Sequence, residues 1–240
     1  FNEPDHGKDG TPFSTLQSRY AGEPFLTSGN LVEGQYTGYH KLTMPKTGVY
    51  EFEAAGAPGS ATTAGDDGVI HYGGRGIILK GRMSLNESDV IQFAIGKSGE
   101  GDFQGYVGGG GGGTFIVKDS FFTSSQTNAN IILVAGGGAG GAYDDQQNLN
   151  PQDATSSNNG RDGQGGSYYG VGGTSGNGAN GRGYGGGSGP AGPAAGIYSA
   201  GTNFSYQSNA TAAVPFVSGN LGAQGYLSLI HISEPTRPPE

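Results

Sequence analysis

The sequence predicts a mainly β protein: an antiparallel β-sandwich into which a bundle of polyglycine helices is inserted. Three observations carry that expectation. Short runs in the first half alternate apolar and polar residues with the period of a strand. Glycine then takes over, with 29 of the 92 residues from 105 to 196. Finally, two apolar runs abut the glycine tracts without a break: Thr114-Phe115-Ile116-Val117 directly follows a run of six glycines, and Ile131-Ile132-Leu133-Val134-Ala135 leads directly into three more. A flexible linker has no need of such junctions.

Residues 1–35 are polar, carry Pro4, Pro12 and Pro24, and read as an irregular arm or linker. From residue 36 the strand signals begin. In Val49-Tyr50-Glu51-Phe52-Glu53-Ala54, Tyr50, Phe52 and Ala54 fall on one face and the two glutamates on the other. Pro45 and Gly48 before it and Gly56, Pro58 and Gly59 after it read as turn residues. A second strand is expected over 76–81. A third is expected over 89–96, where Ile91, Phe93 and Ile95 alternate with Val90, Gln92 and Ala94. Later, 144–159 reads as a long polar surface loop, and 197–206 and 214–217 as segments that return strands to the sandwich.

The glycines need a physical account, because each loses more backbone freedom on ordering than any other residue. A polyproline-II helix has three residues per turn and no internal hydrogen bonds, so its N–H and C=O groups all point outward. Helices lying side by side can satisfy one another, provided no side chain holds the backbones apart. The tract Gly108, Gly109, Gly110, Gly111, Gly112 and Gly113 would reach about 19 Å in that form. We expect it to lie beside Gly136, Gly137, Gly138, Gly140 and Gly141 and beside pieces around 170–189 that include Gly185, Gly186 and Gly187. The competing reading is disorder. A collagen helix is excluded by the lack of a strict period of three after residue 160.

The composition also excludes function classes. A net charge of −8 disfavours nucleic acid and anionic lipid as partners. The absence of Cys rules out disulfides and zinc-thiolate sites, and no apolar run is long enough for a membrane span. Gly181-Arg182-Gly183-Tyr184-Gly185-Gly186 fits a dinucleotide fingerprint, but no strand precedes it, and in a chain this rich in glycine such matches arise by chance. His6, His40 and His71 are scattered, and neither a zincin motif nor a nucleophile elbow occurs. The expectation is therefore a protein that is not an enzyme, with no catalytic residue, metal or cofactor. Asp66-Asp67, Asp144-Asp145 and Asp153 are read as solvated loop acids rather than calcium ligands. Tyr143, Tyr168, Tyr169, Tyr184 and Tyr198 are read as caps on the bundle rather than a ligand-stacking surface. Asn86, Asn203 and Asn209 stand in N-glycosylation sequons.

Taken in order, several pieces form a pattern: Ala54-Ala55-Gly56-Ala57-Pro58-Gly59, Gly74-Arg75-Gly76-Ile77-Ile78-Leu79-Lys80-Gly81, Phe93-Ala94-Ile95-Gly96-Lys97-Ser98-Gly99-Glu100, the junction ending in Val117, and Ile132-Leu133-Val134-Ala135-Gly136-Gly137-Gly138. This succession resembles the glycine-rich extracellular domain of the anaplastic lymphoma kinase and leukocyte tyrosine kinase receptors, over about residues 36–196. The resemblance implies a tumour-necrosis-factor-like sandwich carrying the polyglycine bundle, and a role in ligand binding and receptor dimerisation at the cell surface. The family's ligand-contacting residues do not map onto this sequence one by one, so none is assigned. Residues 227–237, LSLIHISEPTR, match one frame of a transposon-derived sequencing adapter. The sequence reading therefore divides the chain into an arm (1–35), a glycine-rich module (36–226, with the bundle mainly at 105–196) and an adapter-derived tail (227–240) that contributes no natural strand.

The expected function is that of a noncatalytic, rigid structural or assembly unit, extracellular or at the cell surface, whose partner is another protein or a second copy, with a glycan as a further candidate. The alternative is a ligand-binding ectodomain of a receptor tyrosine kinase-like protein or an adhesin.

Overall fold

Strand alternation is where the sequence and the fold meet most directly. The structure is a computed structural model that describes residues 12–24, 28–61, 70, 72–99, 109–124, 126–141, 152–157, 159, 175, 197–199, 216–218 and 230–233. In chain order the elements are helix α1 (Phe13–Arg19), strands β1 (Leu31–Glu33), β2 (Tyr39–Thr43), β3 (Gly48–Ala55), β4 (Ile78–Leu85), β5 (Val90–Ala94) and β6 (Thr114–Lys118), helix α2 (Ser120–Thr123), a 3-10 turn (Asn128–Asn130), β7 (Ile131–Ala135), a second 3-10 turn (Phe216–Ser218) and β8 (Ile230–Ser233). The protein is mainly β. Its strands form a five-stranded sheet, β1-β2-β5-β6-β7, and a three-stranded sheet, β4-β3-β8, and all pairings are antiparallel.

Cross-strand partners share a face, so the register reveals how the sheets are used. Leu31 lies opposite Leu42, Leu42 opposite Ile91, and Phe93 opposite Ile116. These five side chains join Tyr50, Phe52, Ala54 and Leu85 of the three-stranded sheet in a single apolar cluster. On the other side of β3, Glu51 and Glu53 pair with Arg82 and Lys80 at 2.8 and 2.9 Å, an exposed charged face as the alternation predicts.

The central strands of the five-stranded sheet are covered on both faces, which the sequence does not announce. Gln92 and Ala94, the polar side of the expected alternation in β5, are as buried as Ile91 and Phe93. Tyr39, Ala94 and Val117 face a second cluster with Phe121, Ile197 and Phe216, supplied by α2 and by a strap from much later in the chain. The Phe216 ring stacks on Phe115 and Tyr39 at 4.5 and 4.9 Å, and the Tyr39 hydroxyl donates to the Phe216 carbonyl at 2.7 Å. Burial, and then the neighbouring Tyr36, push the Tyr39 hydroxyl far above the usual phenol range. Gln92 Nε2 donates to Asp119 Oδ1 at 2.7 Å, and Asp119 also holds Lys41 at 2.9 Å.

Several expectations give way. The arm is not wholly irregular: residues 13–19 form α1, which buries Leu16, and 31–33 form an edge strand on β2. The second strand starts at Ile78, not at Gly76, and runs on to Leu85. In the regions expected to return strands, Ile197 and Tyr198 lie in a bend and 216–218 form a 3-10 turn, because these residues contribute side chains to the aromatic cluster rather than backbone to a ladder. Finally, Ile230–Ser233 does form a strand, pairing with Glu51 to Ala54 of β3. An open strand edge accepts any extended segment with free N–H and C=O groups, whatever its provenance.

Candidate functional site

Antiparallel pairing puts the ends of β3, β5 and β7 and the beginnings of β4 and β6 at the same ends of their sheets. At each of these five points the chain leaves the ladder and becomes glycine-rich: 56–60 after β3, 73–77 before β4, 95–99 after β5, 109–113 before β6 and 136–141 after β7. A sixth piece, 152–154, joins them from the side. None of the six is a strand or a helix.

These tracts bind one another mainly through backbone, and the backbone bonds recur every third residue. Gly56 and Gly59 donate to the carbonyls of Ile77 and Gly74, both at 2.9 Å. Ala57 and Ser60 donate to Gly112 and Gly109 at 3.0 and 2.9 Å. Gly138 and Gly141 donate to Ala57 and Ser60 at 2.8 Å, and Gly74 and Ile77 donate to Ala139 and Gly136 at 2.7 and 3.0 Å. Further bonds run from Gly111 to Gly138 and from Gly112 to Lys97, and Ala139 and Ala154 donate to Gln152 and Arg75. The pairings fix direction: 56–60 runs antiparallel to 73–77 and 109–113 and parallel to 136–141. They also fix arrangement. Tracts 73–77 and 56–60 form one row, laid over a second row made of 152–154, 136–141 and 109–113, with 95–99 against the last of these.

Glycine is required here by proximity. A Cβ built on Gly56 or Gly59 falls well inside 3.0 Å of the carbonyl oxygens of Gly136 and Ala139. The same holds for Gly73 and Gly76 against Gly59 and Gly56, and for Gly96 and Gly99 against Gly112 and Gly109. Each pair is again three residues apart. Between these positions sit residues that carry side chains, such as Ala57, Pro58, Arg75, Lys97 and Ser98.

One side chain ties the slab to both sheets. Thr114, fully buried at the start of β6, donates from Oγ1 to the Ala55 carbonyl at 2.6 Å and accepts from the Gly96 N–H at 3.1 Å. It therefore links β6 to the last residue of β3 and to the tract after β5. Replacing Thr114 with Val keeps the shape but strands two buried backbone groups, so a loss of about 2–3 kcal/mol is expected from urea unfolding; an unchanged midpoint would show the links to be dispensable.

Of the glycines expected in the bundle, Gly109, Gly110, Gly111, Gly112, Gly113, Gly136, Gly137, Gly138, Gly140 and Gly141 lie in these tracts, whereas Gly108, Gly185, Gly186 and Gly187 fall outside the described residues. What the sequence reading assigned wrongly is equally informative: Gly56 and Gly59 were expected in a turn and Gly76 in a strand, yet they are contact positions of the slab. The signal was available in Gly56-x-x-Gly59, Gly73-x-x-Gly76 and Gly96-x-x-Gly99, each with the three-residue spacing of the contacts.

Other candidates take structural places or none. Asp153 Oδ1 accepts the Arg75 N–H at 2.6 Å, which helps hold the sixth piece in position. Among the described residues no group of three His, Asp or Glu side chains is arranged to hold a metal, and no helix is long and apolar enough to cross a membrane. Tyr198 donates to Asn128 Oδ1 at 2.5 Å and packs on the Phe121 ring. Asn86 is exposed on the turn between β4 and β5, whereas Asn203 and Asn209 lie outside the described residues, as do Asp66, Asp67, Asp144, Asp145, Tyr143, Tyr168, Tyr169 and Tyr184. Buried polar side chains are few; the hydroxyls of Ser60 and Ser98 have no hydrogen-bond partner among the described residues. No protein-family model matches the chain, and no curated protein is similar to it.

Proposed function

We propose that the chain is a noncatalytic extracellular module that acts as a rigid structural or assembly unit, and that its stiffness comes from a bundle of polyglycine helices mounted on the end of a β-sandwich. The recurrence of tract-to-tract hydrogen bonds at every third residue carries this reading, because three residues per turn is the period of a polyproline-II helix and of no other regular backbone form that leaves all its polar groups free for neighbours. A single apolar cluster fed by both sheets supports the sandwich. Among the described residues the contacts between tracts offer mainly backbone to backbone and bring no set of reactive side chains together, which suits a scaffold better than a catalyst. Its partner is another protein or a further copy of itself, and Asn86, on its exposed turn, is the position best placed to carry a glycan.

Amide exchange tests the rigid element. The N–H groups of Gly56, Gly59, Gly111, Gly112, Gly138 and Gly141 are expected to be protected to within about tenfold of the β3 and β5 amides, since opening any of them requires parting two tracts. Exchange at the rate of free peptide would remove the bundle. Light scattering tests the assembly: association that grows with concentration is expected, and discrete monomers that capture a soluble ligand would favour a receptor ectodomain or adhesin instead.

A further inference from the structure

The arm preceding the first sheet holds a feature that the slab does not use. α1 is seven residues long and has no side-chain cap at its N-terminus, so it is too short to persist alone. It is held by the fully buried Leu16 and by Phe13, whose ring lies 6.1 Å from the imidazole of His40 on β2. The Phe93 ring of β5 is 5.4 Å from the same imidazole. His40 is 1% exposed, and its Nδ1 has no hydrogen-bond partner among the described residues.

A neutral imidazole is tolerable between two aromatic rings. An imidazolium carries a proton on both nitrogens and would bury a charged donor without an acceptor. The neighbouring charged and titratable groups offer little relief. Glu33, opposite His40 on β1, is exposed; Arg19 and Tyr20 close α1; Lys118 is the nearest charge on that face of β6; and Tyr50 of β3 donates its hydroxyl to the Lys46 carbonyl. β5 contributes only Ile91 and Phe93 to this face, and Lys41 of β2 lies on the opposite one, paired with Asp119. Desolvation by burial accordingly pulls the imidazole down to about 4 from its ordinary 6.5.

We propose that α1 is a latch released by acid: protonation of His40 drives Phe13 off the five-stranded sheet and frees α1. The sign follows from linkage. The closed form binds the proton only near pH 4, whereas the open form, with His40 in water, binds it from about pH 6.5. The latch is therefore fully favoured above that upper value and weakens as pH falls, about tenfold in its opening constant per pH unit and about 300-fold in all.

The test is amide exchange on the whole chain, expressed as protection factors so that the intrinsic acid dependence of exchange is removed. The Tyr20 amide, which donates to the Leu16 carbonyl at 2.9 Å, reports α1, and the β2–β5 amides report the sheet. Between pH 7 and pH 5 protection at Tyr20 is expected to fall about 20-fold while the sheet amides hold theirs. His40→Phe is expected to abolish that fall, and Glu33→Gln to preserve it. A flat response in the wild type, an equal fall in His40→Phe, loss of the response in Glu33→Gln, or a parallel fall across the sheet would each overturn the proposal. If His40→Phe does not fold, a wild-type imidazole titration by NMR decides: a midpoint well below 6.5 is expected, and one at 6.5 would sink the latch.

Discussion

Alanine at Gly59 is expected to cost the protein most of its stability, whereas alanine at Gly136 is expected to cost nothing. The Gly59 Cβ would fall well inside 3.0 Å of the Ala139 carbonyl oxygen, an atom fixed by its own hydrogen bond from Gly74. No side chain is available to swing away. Relief means separating 56–60 from 136–141, and with it the bonds from Gly138 and Gly141 to Ala57 and Ser60. We expect a loss of at least about 4 kcal/mol, a large share of the 5–15 kcal/mol that typically holds a domain together. Among the described residues the Gly136 Cβ would meet only the Ala154 methyl, at 3.7 Å, and Gly136 has no left-handed backbone angle to defend. There the substitution removes disorder from the unfolded chain and should stabilise by about 0.4–1 kcal/mol. Gly137, the next residue, behaves like Gly59, because its Cβ would strike the Gly111 carbonyl. Urea midpoints of the three variants check the contrast. Equal, small effects at all three would mean that the tracts do not touch as described.

The same contrast explains what could be read from the sequence. A run such as 108–113 draws attention because its composition is extreme, but composition does not say which glycines are needed. Gly110 has room for a methyl group, with its nearest neighbour at 3.6 Å, while the isolated Gly99 has none. Spacing carries the information. In the sheets, β3 was legible because Glu51 and Glu53 share the face opposite its apolar one and pair there with Arg82 and Lys80. β5 was half legible: Gln92 and Ala94 look solvent-facing until Asp119 takes up the Gln92 amide and residues 120–123 and 216–218 arrive to cover Ala94, and nothing local to β5 announces them. α1 was hidden by its polar content, since only Phe13 and Leu16 mark its buried side, and Phe13 does so against a sheet that begins later in the chain. Thr114 was visible only as the first residue after a glycine run; its role depends on where Ala55 and Gly96 end up, which is a property of the topology.

Truncating Phe216 to Ala is expected to cost about 3 kcal/mol, and the way in which stability is lost is as informative as the amount. The side chain is 1% exposed and touches the rings of Tyr39, Phe115, Phe121 and Phe122. For a buried Phe in a rigid core the cost runs to about 3–5 kcal/mol. Here the strap supplies Phe216 from outside the sheet, so the loss is limited to the free energy with which the strap docks. Once that is exceeded, the strap detaches and the sheet survives. The expected signature is a sheet that still unfolds cooperatively at a lower urea midpoint, together with increased binding of a dye such as ANS to the uncovered Tyr39, Phe115 and Phe121 face. Full unfolding without dye binding would mean that the strap and sheet form one cooperative unit.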